Sequence, residues 1–236
     1  MNRLVNGLND LDIKYTDLQL QKVDKYYELL FEKNKVINLT RITDRDEFYT
    51  KHILDSLLVT KVYKFENQFV IDIGTGAGFP GIPLSIFYPD LQLVLLDSVN
   101  KKLLFIDEVS EIIGLNNIRT VHGRAEDIAH VKDYREKFDL VLSRAVADLS
   151  VLSELCIPFI KVNGSFIAYK SYNSDEEIKK SQTAINILSG SAVNSKMEII
   201  PGTDIMRTLV IVNKKFCTDN KYPRKPGVPN RNPLGD

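Results

Sequence analysis

The sequence predicts an α/β fold with a mostly parallel, seven-stranded sheet, one strand of which is antiparallel, preceded by a small helical cap. Three observations support this prediction. An apolar run at Phe69–Ile73 breaks into glycines and continues as a helix from about Pro80, which is typical of a buried strand turning into a helix. Strand-like and helix-like segments then alternate to about residue 188, as in parallel β/α units. The last two apolar runs are separated only by Pro201–Arg207, which is too short for a crossover helix and predicts an antiparallel hairpin.

The helical cap is predicted over residues 1–60, of which residues 1–15 show only weak patterning. Thr16 or Asp17 can cap a helix that fades near Asn34. Its apolar residues recur at steps of three and four on one face: Leu20, Val23, Tyr27 and Leu30. A second helix begins at Thr43. Three of its residues fall at steps of four and three: Phe48, His52 and Asp55.

The α/β domain is predicted over residues 61–213. Its strands follow the apolar runs: Phe69–Ile73, Leu91–Leu96, Ile118–Val121, Phe138–Leu142, Ser165–Lys170, Met197–Ile200 and Leu209–Asn213. Its helices occupy the intervals between them: Pro80–Phe87, Lys101–Ile113, Asp148–Ile157 and Asp175–Leu188.

The composition is that of a soluble protein with one large domain, or with one domain and a small appendage. The chain has 236 residues, 44% of them hydrophobic, which is enough for a full core. Two cysteines and three scattered histidines suggest neither a disulfide framework nor a metal site. A polar N-terminus and the lack of a run of 18 apolar residues predict a cytoplasmic protein without membrane contact. Nothing in the sequence demands a partner subunit, and we expect a monomer.

The tail, residues 214–236, is basic and rich in proline. We expect it to be extended and mobile in the free protein. Because the net charge of the whole chain is zero, RNA binding would depend on local patches, and this tail is a candidate RNA-contacting arm. The alternative interpretation is a solvated terminus without a partner.

The glycine-rich turn between residues 73 and 81 indicates a nucleotide-like ligand, because glycines let the backbone approach a ligand closely. A dinucleotide and S-adenosylmethionine both use such turns. Read from the strand end, the glycines are Gly74, Gly76 and Gly78, followed by Phe79 where a dinucleotide fold prefers Gly or Ala. Asp72, inside the strand end, would repel a pyrophosphate and attract the ammonium and sulfonium groups of S-adenosyl-L-methionine. The latter cofactor is therefore favoured, with a nicotinamide-dependent oxidoreductase as the alternative.

Other strand ends supply further candidates for the same pocket. Asp97, after the second strand, can hold ribose hydroxyls of either ligand. Ala125 and Glu126 follow the third strand and are candidates for adenine contacts, although Glu126 also suits a helix N-terminus. Ser143 and Arg144 end the fourth strand, over the expected crevice. The motifs typical of adenine-N6 and cytosine-C5 methylation are absent from the sequence at this position.

The spaced set of motifs resembles the RsmG (formerly GidB) family, bacterial methyltransferases that modify a guanine at N7 in 16S ribosomal RNA. The resemblance runs from about Asn34 to the end of the chain. It rests on five motifs and the tail: Asn38-Leu39-Thr40, His52-Ile53-Leu54-Asp55-Ser56, residues 72–81, Gly123-Arg124-Ala125-Glu126, Ser143-Arg144-Ala145 and Tyr222-Pro223-Arg224-Lys225-Pro226-Gly227. It implies a class I methyltransferase with a Rossmann-like sheet, and the small ribosomal subunit or its RNA as partner.

The resemblance also implies roles for individual residues. Cofactor contacts are expected from five: Gly74, Phe79, Ala125, Glu126 and Arg144. Asn38, His52 and Arg144 are expected on the catalytic, substrate-facing side. Structural alternatives are that His52 packs the cap against the sheet, that Asn38 stabilises a turn, and that Arg144 is an ion-pair partner. From the residues alone, the methyl acceptor could also be another RNA or a protein.

The chemistry expected of guanine N7 needs little from the protein. N7 has a lone pair and no proton, so it can attack a sulfonium methyl group without a general base. We therefore expect catalysis by in-line placement and by stabilisation of the charge that moves to the base. Arg144 or a backbone donor would hold the guanine O6 edge, and Asp55 or Asp72 would ease the positive charge.

Overall fold

The computed structural model describes residues 1–144, 147–189 and 193–235. Within these ranges one seven-stranded sheet has the strand order β3-β2-β1-β4-β5-β7-β6. The strands are β1 Phe69–Ile73, β2 Gln92–Asp97, β3 Ile118–His122, β4 Phe138–Arg144, β5 Ile160–Ser171, β6 Val193–Ile199 and β7 Met206–Asn213. β7 runs antiparallel to both β5 and β6, and the other described neighbours pair in parallel. The prediction of a mostly parallel sheet with one reversed strand is confirmed.

The helices precede, separate and follow the strands: α1 Asn2–Asp10, α2 Asp17–Asn34, α3 Arg45–Glu47, α4 Asp55–Leu57, α5 Gly81–Phe87, α6 Asn100–Ile112, α7 Ala125–Ile128, α8 Leu149–Cys156, α9 Asp175–Ser189 and α10 Val228–Arg231. A π-helical stretch, Phe48–Leu54, joins α3 to α4, and 3-10 turns cover Leu58–Lys61 and Ile157–Phe159. The cap therefore consists of α1, α2 and the helical run from residue 45 to residue 61.

Alternating residues of the central strands divide the core into two hydrophobic clusters, because successive strand side chains point to opposite faces of a sheet. Val70 of β1 belongs to the cluster that also contains α1, α2, α5 and α6. Ile71 and Ile73 belong to the cluster with α8, α9 and the C-terminal segment. Leu4 and Leu8, in a region without a predicted element, are fully buried and share the first cluster with the sheet.

Helix α2 begins as the sequence predicts. The Thr16 hydroxyl accepts from the backbone N–H of Gln19, and the Gln19 side chain accepts from the Thr16 N–H in return, which satisfies two free donors. The buried face differs in one residue: Tyr26, rather than Tyr27, is fully buried beside Val23 and Leu30. The Tyr26 hydroxyl donates to the carbonyl oxygen of Ala77 at 2.7 Å. The cap therefore holds the glycine loop directly.

The C-terminal tail is packed against the α/β domain, so the expectation of an extended, mobile arm is wrong for residues 214–235. Lys214 is buried and its Nζ lies 2.7 Å from Glu136 Oε1. Arg224 pairs with Glu154, whose carboxylate is fully buried. Two of the tail's basic residues thus neutralise carboxylates inside the protein.

No helix in the described ranges is long and apolar enough to cross a membrane.

Candidate active site

The glycine loop leaves the carboxyl end of β1 in a conformation that favours glycine. Gly74 and Gly76 have φ angles of +72° and +63°. The N–H groups of Gly74 and Thr75 donate to Leu96 O at 2.8 and 3.1 Å, which ties the loop to β2. The Gly76 N–H donates to Asp97 Oδ2 at 3.0 Å. A Cβ added to Gly76 would meet only Gly74 O, at 4.0 Å, so this part of the loop borders open space.

Asp72 supports this loop from beneath. Its Oδ2 accepts from the Thr75 hydroxyl at 2.7 Å and from the Gly81 N–H at 3.1 Å. Burial raises the pKa of this carboxyl to about 7, despite those two hydrogen bonds. Its other oxygen, Oδ1, has no hydrogen-bond partner among the described residues. The carboxylate that the sequence suggested for direct cofactor contact lies below the loop and acts on its shape.

A cavity of about 510 Å³ lies over the loop at the carboxyl edge of the sheet. Residues predicted for the cofactor or the substrate side line it: Gly74, Gly76, Phe79, Asp97, Ala125, Glu126, Arg144 and His52. Gly78 packs instead, since a Cβ there would come within 2.5 Å of Ile82 Cδ1. Asn38 is exposed, and its neighbour Leu39 contributes to the wall. The cavity thus gathers most of the predicted site, with Asp72, Gly78 and Asn38 outside its walls.

The Asp97 carboxylate sits at the edge of this cavity and is only 5% exposed. Its Oδ1 accepts from the Val99 N–H at 2.8 Å. Lys102 Nζ lies 3.6 Å from Oδ2. Lys102 and Arg124 both line the cavity. The site therefore presents carboxylates and cations side by side.

A second cavity, of about 430 Å³, adjoins the first and shares His52 and Arg144 with it. Both basic and acidic side chains line it: Lys51, Asp55, Lys170, Glu177 and Arg207. Ile42 and Ile205 add apolar surface. Two chambers that meet at a common pair of side chains can hold a donor molecule and an acceptor molecule next to each other.

Arg144, at the end of β4, is held by three residues of the cap and by the glycine loop. Its Nη1 donates to Asp55 Oδ2 at 3.1 Å and to the carbonyl oxygen of Lys51 at 3.2 Å. Its guanidinium carbon lies 5.1 Å from the centre of the Phe79 ring. The other oxygen of Asp55 accepts from Arg207 Nε at 2.8 Å. Asp55, which is fully buried, thus joins two arginines. Ala145, the last residue of the predicted Ser-Arg-Ala motif, lies outside the described residues.

His52 has a defined tautomer. Its Nδ1 lies 3.2 Å from Arg144 Nη2 and must accept, because a guanidinium can only donate. Nε2 therefore carries the proton and donates to the Thr40 hydroxyl at 2.8 Å. Burial, with the nearby Arg144 charge, lowers the pKa of His52 to about 3. Its ring stacks on Phe79 with centroids 4.2 Å apart. A neutral imidazole with both nitrogens engaged is a packing and positioning group.

Sequence reasoning missed four residues of this region: Tyr26, Thr40, Arg207 and Asn230. Thr40 stands inside a motif quoted for the resemblance, and its link to His52 is visible only in three dimensions. Arg207 and Asn230 come from the far end of the chain. A single sequence carries no signal for pairings over such separations.

The family model described as GidB, rRNA small subunit methyltransferase G, matches residues 19–202. The chain belongs to the GidB family. A relative from Alkaliphilus metalliredigens, named ribosomal RNA small subunit methyltransferase G, is 45% identical over 98% of this chain and 97% of its own. A Staphylococcus epidermidis relative of the same name is 44% identical, with 98% and 97% covered. The predicted family is confirmed.

Solved structures support the fold of this GidB family member. The O-methyltransferase TomG from Streptomyces achromogenes, solved with SAM, aligns with a TM-score of 0.56 at 14% identity, over 86% of this chain and 92% of its own. TYW2 from M. jannaschii, solved with AdoMet, aligns with a TM-score of 0.54 at 14% identity, over 75% and 80%. The class I methyltransferase fold with a Rossmann-like sheet is confirmed.

Proposed function

We propose that this protein transfers a methyl group from S-adenosyl-L-methionine to N7 of a guanine in 16S ribosomal RNA of the small ribosomal subunit. The observation that carries the proposal is the pair of adjoining cavities, one over the glycine loop and one beside it, which meet at His52 and Arg144. Family membership favours this activity over the nicotinamide-dependent alternative.

The residues of the first cavity fit the proposed cofactor. Gly76 leaves room for a ligand against the loop, and the nearby Asp97 carboxylate suits ribose hydroxyls. The wall contains both cations and carboxylates, which match the amino-acid end of the cofactor with its positive ammonium and negative carboxylate groups. Asp97, Glu126 and the glycine loop would therefore hold the cofactor. When bound, it supplies an electrophilic methyl group on a positively charged sulfur.

The protein's own groups position the acceptor and do not need to remove a proton. His52 is neutral, donates to Thr40 and accepts from Arg144, so neither nitrogen is available as a base. The acceptor atom, guanine N7, carries no proton in the first place. Arg144 borders both cavities and is well placed to donate to the O6 edge of a guanine. Orientation and electrostatics would thus supply the catalysis.

The second cavity is the proposed acceptor side. Its cations can attract phosphate, and binding to RNA should weaken steeply with salt. The carboxylate of Asp55 lies in this cavity, whereas Asp72 lies beneath the loop. Asp55 is therefore the better candidate to stabilise the positive charge that the methylated base acquires. We further propose a monomer that acts in the cytoplasm, where ribosomal subunits are assembled.

The proposal is tested by incubating the protein with radiolabelled cofactor and undermethylated small ribosomal subunits, followed by mapping of the labelled nucleotide. We expect label on one guanine of 16S ribosomal RNA, at N7. Label on a protein or on another base would contradict the acceptor assignment. Absence of cofactor binding in calorimetry, with NADH binding in its place, would contradict the cofactor assignment.

A further inference from the structure

A C-terminal strap, residues 222–232, packs against the α/β domain and contributes Asn230 to the lining of the first cavity. Tyr222 is buried in the cluster around α8. Arg135 donates to the carbonyl oxygens of Thr218, Asp219 and Tyr222 at 2.9 to 3.1 Å. These bonds fix the chain where the strap begins.

The strap is fastened by Arg224. Both oxygens of the fully buried Glu154 accept from its guanidinium: Nε to Oε1 at 2.9 Å and Nη2 to Oε2 at 2.6 Å. The Arg224 N–H also donates to Glu154 Oε1 at 2.7 Å. Nη2 donates further to the carbonyl oxygen of Asn232, at 2.7 Å. A two-pronged contact of this kind sets position as well as affinity, so the two ends of the strap are held together.

Beyond Arg224 the strap turns toward the cavity. Gly227 has a φ of +81°, and its N–H donates to Glu126 Oε1 at 3.1 Å. The short helix α10 follows and brings Asn230 to the cavity wall, where Ala125 and Glu126 also lie. The family model ends at residue 202, so this wall is added by a part of the chain that the model does not match.

We propose that the strap is a wall of the cofactor cavity and that Asn230 recognises the purine edge of the cofactor. An asparagine amide offers one donor group and one acceptor, which match the N6 and N7 atoms of adenine. Asn230 lines the same cavity as Ala125 and Glu126, the residues predicted from the sequence to face adenine, and Gly227 of the strap contacts Glu126 directly. This inference rests on the proposed function, because it takes S-adenosylmethionine as the occupant.

The test compares Asn230→Ala with Lys225→Ala by isothermal titration calorimetry. Both residues are exposed on the strap, and only Asn230 lines the cavity. The ligands are S-adenosylhomocysteine and 5′-methylthioadenosine, which lacks the amino-acid end. We expect Asn230→Ala to weaken both ligands about tenfold, equivalent to about 1.4 kcal/mol, and Lys225→Ala to change neither.

Unchanged affinities for Asn230→Ala would overturn the inference, as would weakening of S-adenosylhomocysteine alone, which would place Asn230 at the amino-acid end. A second variant that ends after Gly227 removes α10 and the Asn232 carbonyl that accepts from Arg224, and keeps the ion pair between Arg224 and Glu154. It should bind both ligands at least as weakly as Asn230→Ala. Loss of RNA affinity with full cofactor affinity in this variant would make the strap an RNA arm instead. Failure of the unmodified protein to bind S-adenosylhomocysteine would refute the proposed function itself.

Discussion

The substitution Asp55→Asn should weaken the ion pairs that hold Arg144 and Arg207 where the two cavities meet. The change removes the charge that Arg144 and Arg207 share, at 3.1 and 2.8 Å. Breaking a buried ion pair by removing one partner costs roughly 3–5 kcal/mol. Because the two arginine side chains are 13% and 28% exposed, water offsets part of this loss, and we expect about 3 kcal/mol. At about 2–4 °C per kcal/mol for a chain of this size, the unfolding midpoint should fall by about 6–12 °C.

The assay is chemical and thermal unfolding of Asp55→Asn beside Asp46→Asn. Asp46 also pairs with an arginine, Arg3, but both side chains are more than half exposed, so its loss should change stability by less than about 0.5 kcal/mol. In single-turnover methylation, Asp55→Asn should also slow methyl transfer because Arg144 loses its anchor. Equal stability of the two variants would refute the view that Asp55 holds the arginines in place.

Three further predictions follow from the same site. His52→Ala should lower the rate of methyl transfer without removing a titrating limb from the pH–rate profile between pH 6 and 9, because the pKa of His52 is about 3; loss of a limb would reveal a base. Asp72→Asn should gain stability relative to the unmodified protein as pH rises from 4 to 7 in urea titrations. The pKa of Asp72 is raised to about 7 in the folded state, so the folded unmodified protein binds more protons than its unfolded state. The stability of the unmodified protein therefore declines as pH rises from 4 to 7, a loss that Asp72→Asn lacks. Parallel stability–pH profiles for the two proteins would contradict this. Phe79→Ala removes the ring that stacks on His52 and lies under Arg144. This variant should bind S-adenosylhomocysteine at least tenfold more weakly in calorimetry. The control Phe216→Ala, at an exposed site, should leave this affinity unchanged.

The number of strands, the one reversed strand and the glycine loop could be predicted because their signals are local. Apolar runs, glycines with positive φ and a short final connection each mark their own element. The edge strand β6 begins at Val193, earlier than the predicted Met197. The three residues that follow Val193 are polar and exposed, as edge strands tolerate, so hydrophobic patterning does not detect this part of the strand.

The tail and helix α2 of the cap show that sequence patterning does not reveal contacts between distant parts of the chain. Lys214 and Arg224 look like solvated charges until their partners, Glu136 and Glu154, are known. Those carboxylates come 78 and 70 residues earlier in the chain. Steps of three and four along α2 are met by both Tyr26 and Tyr27, and only the contact with the glycine loop distinguishes them.

The shared core beneath the cap has a consequence for how this protein can evolve. Leu4, Leu8 and Leu30 pack in one cluster with Leu93 and Leu95 of β2. Removing residues 1–60 would therefore expose the part of this cluster that the cap covers, and the two parts should melt in a single cooperative transition. An enzyme built this way cannot acquire a new acceptor by exchanging its cap as a module. A change in acceptor specificity would have to arise by point substitutions around the second cavity, while the packing of the cap on the sheet is kept.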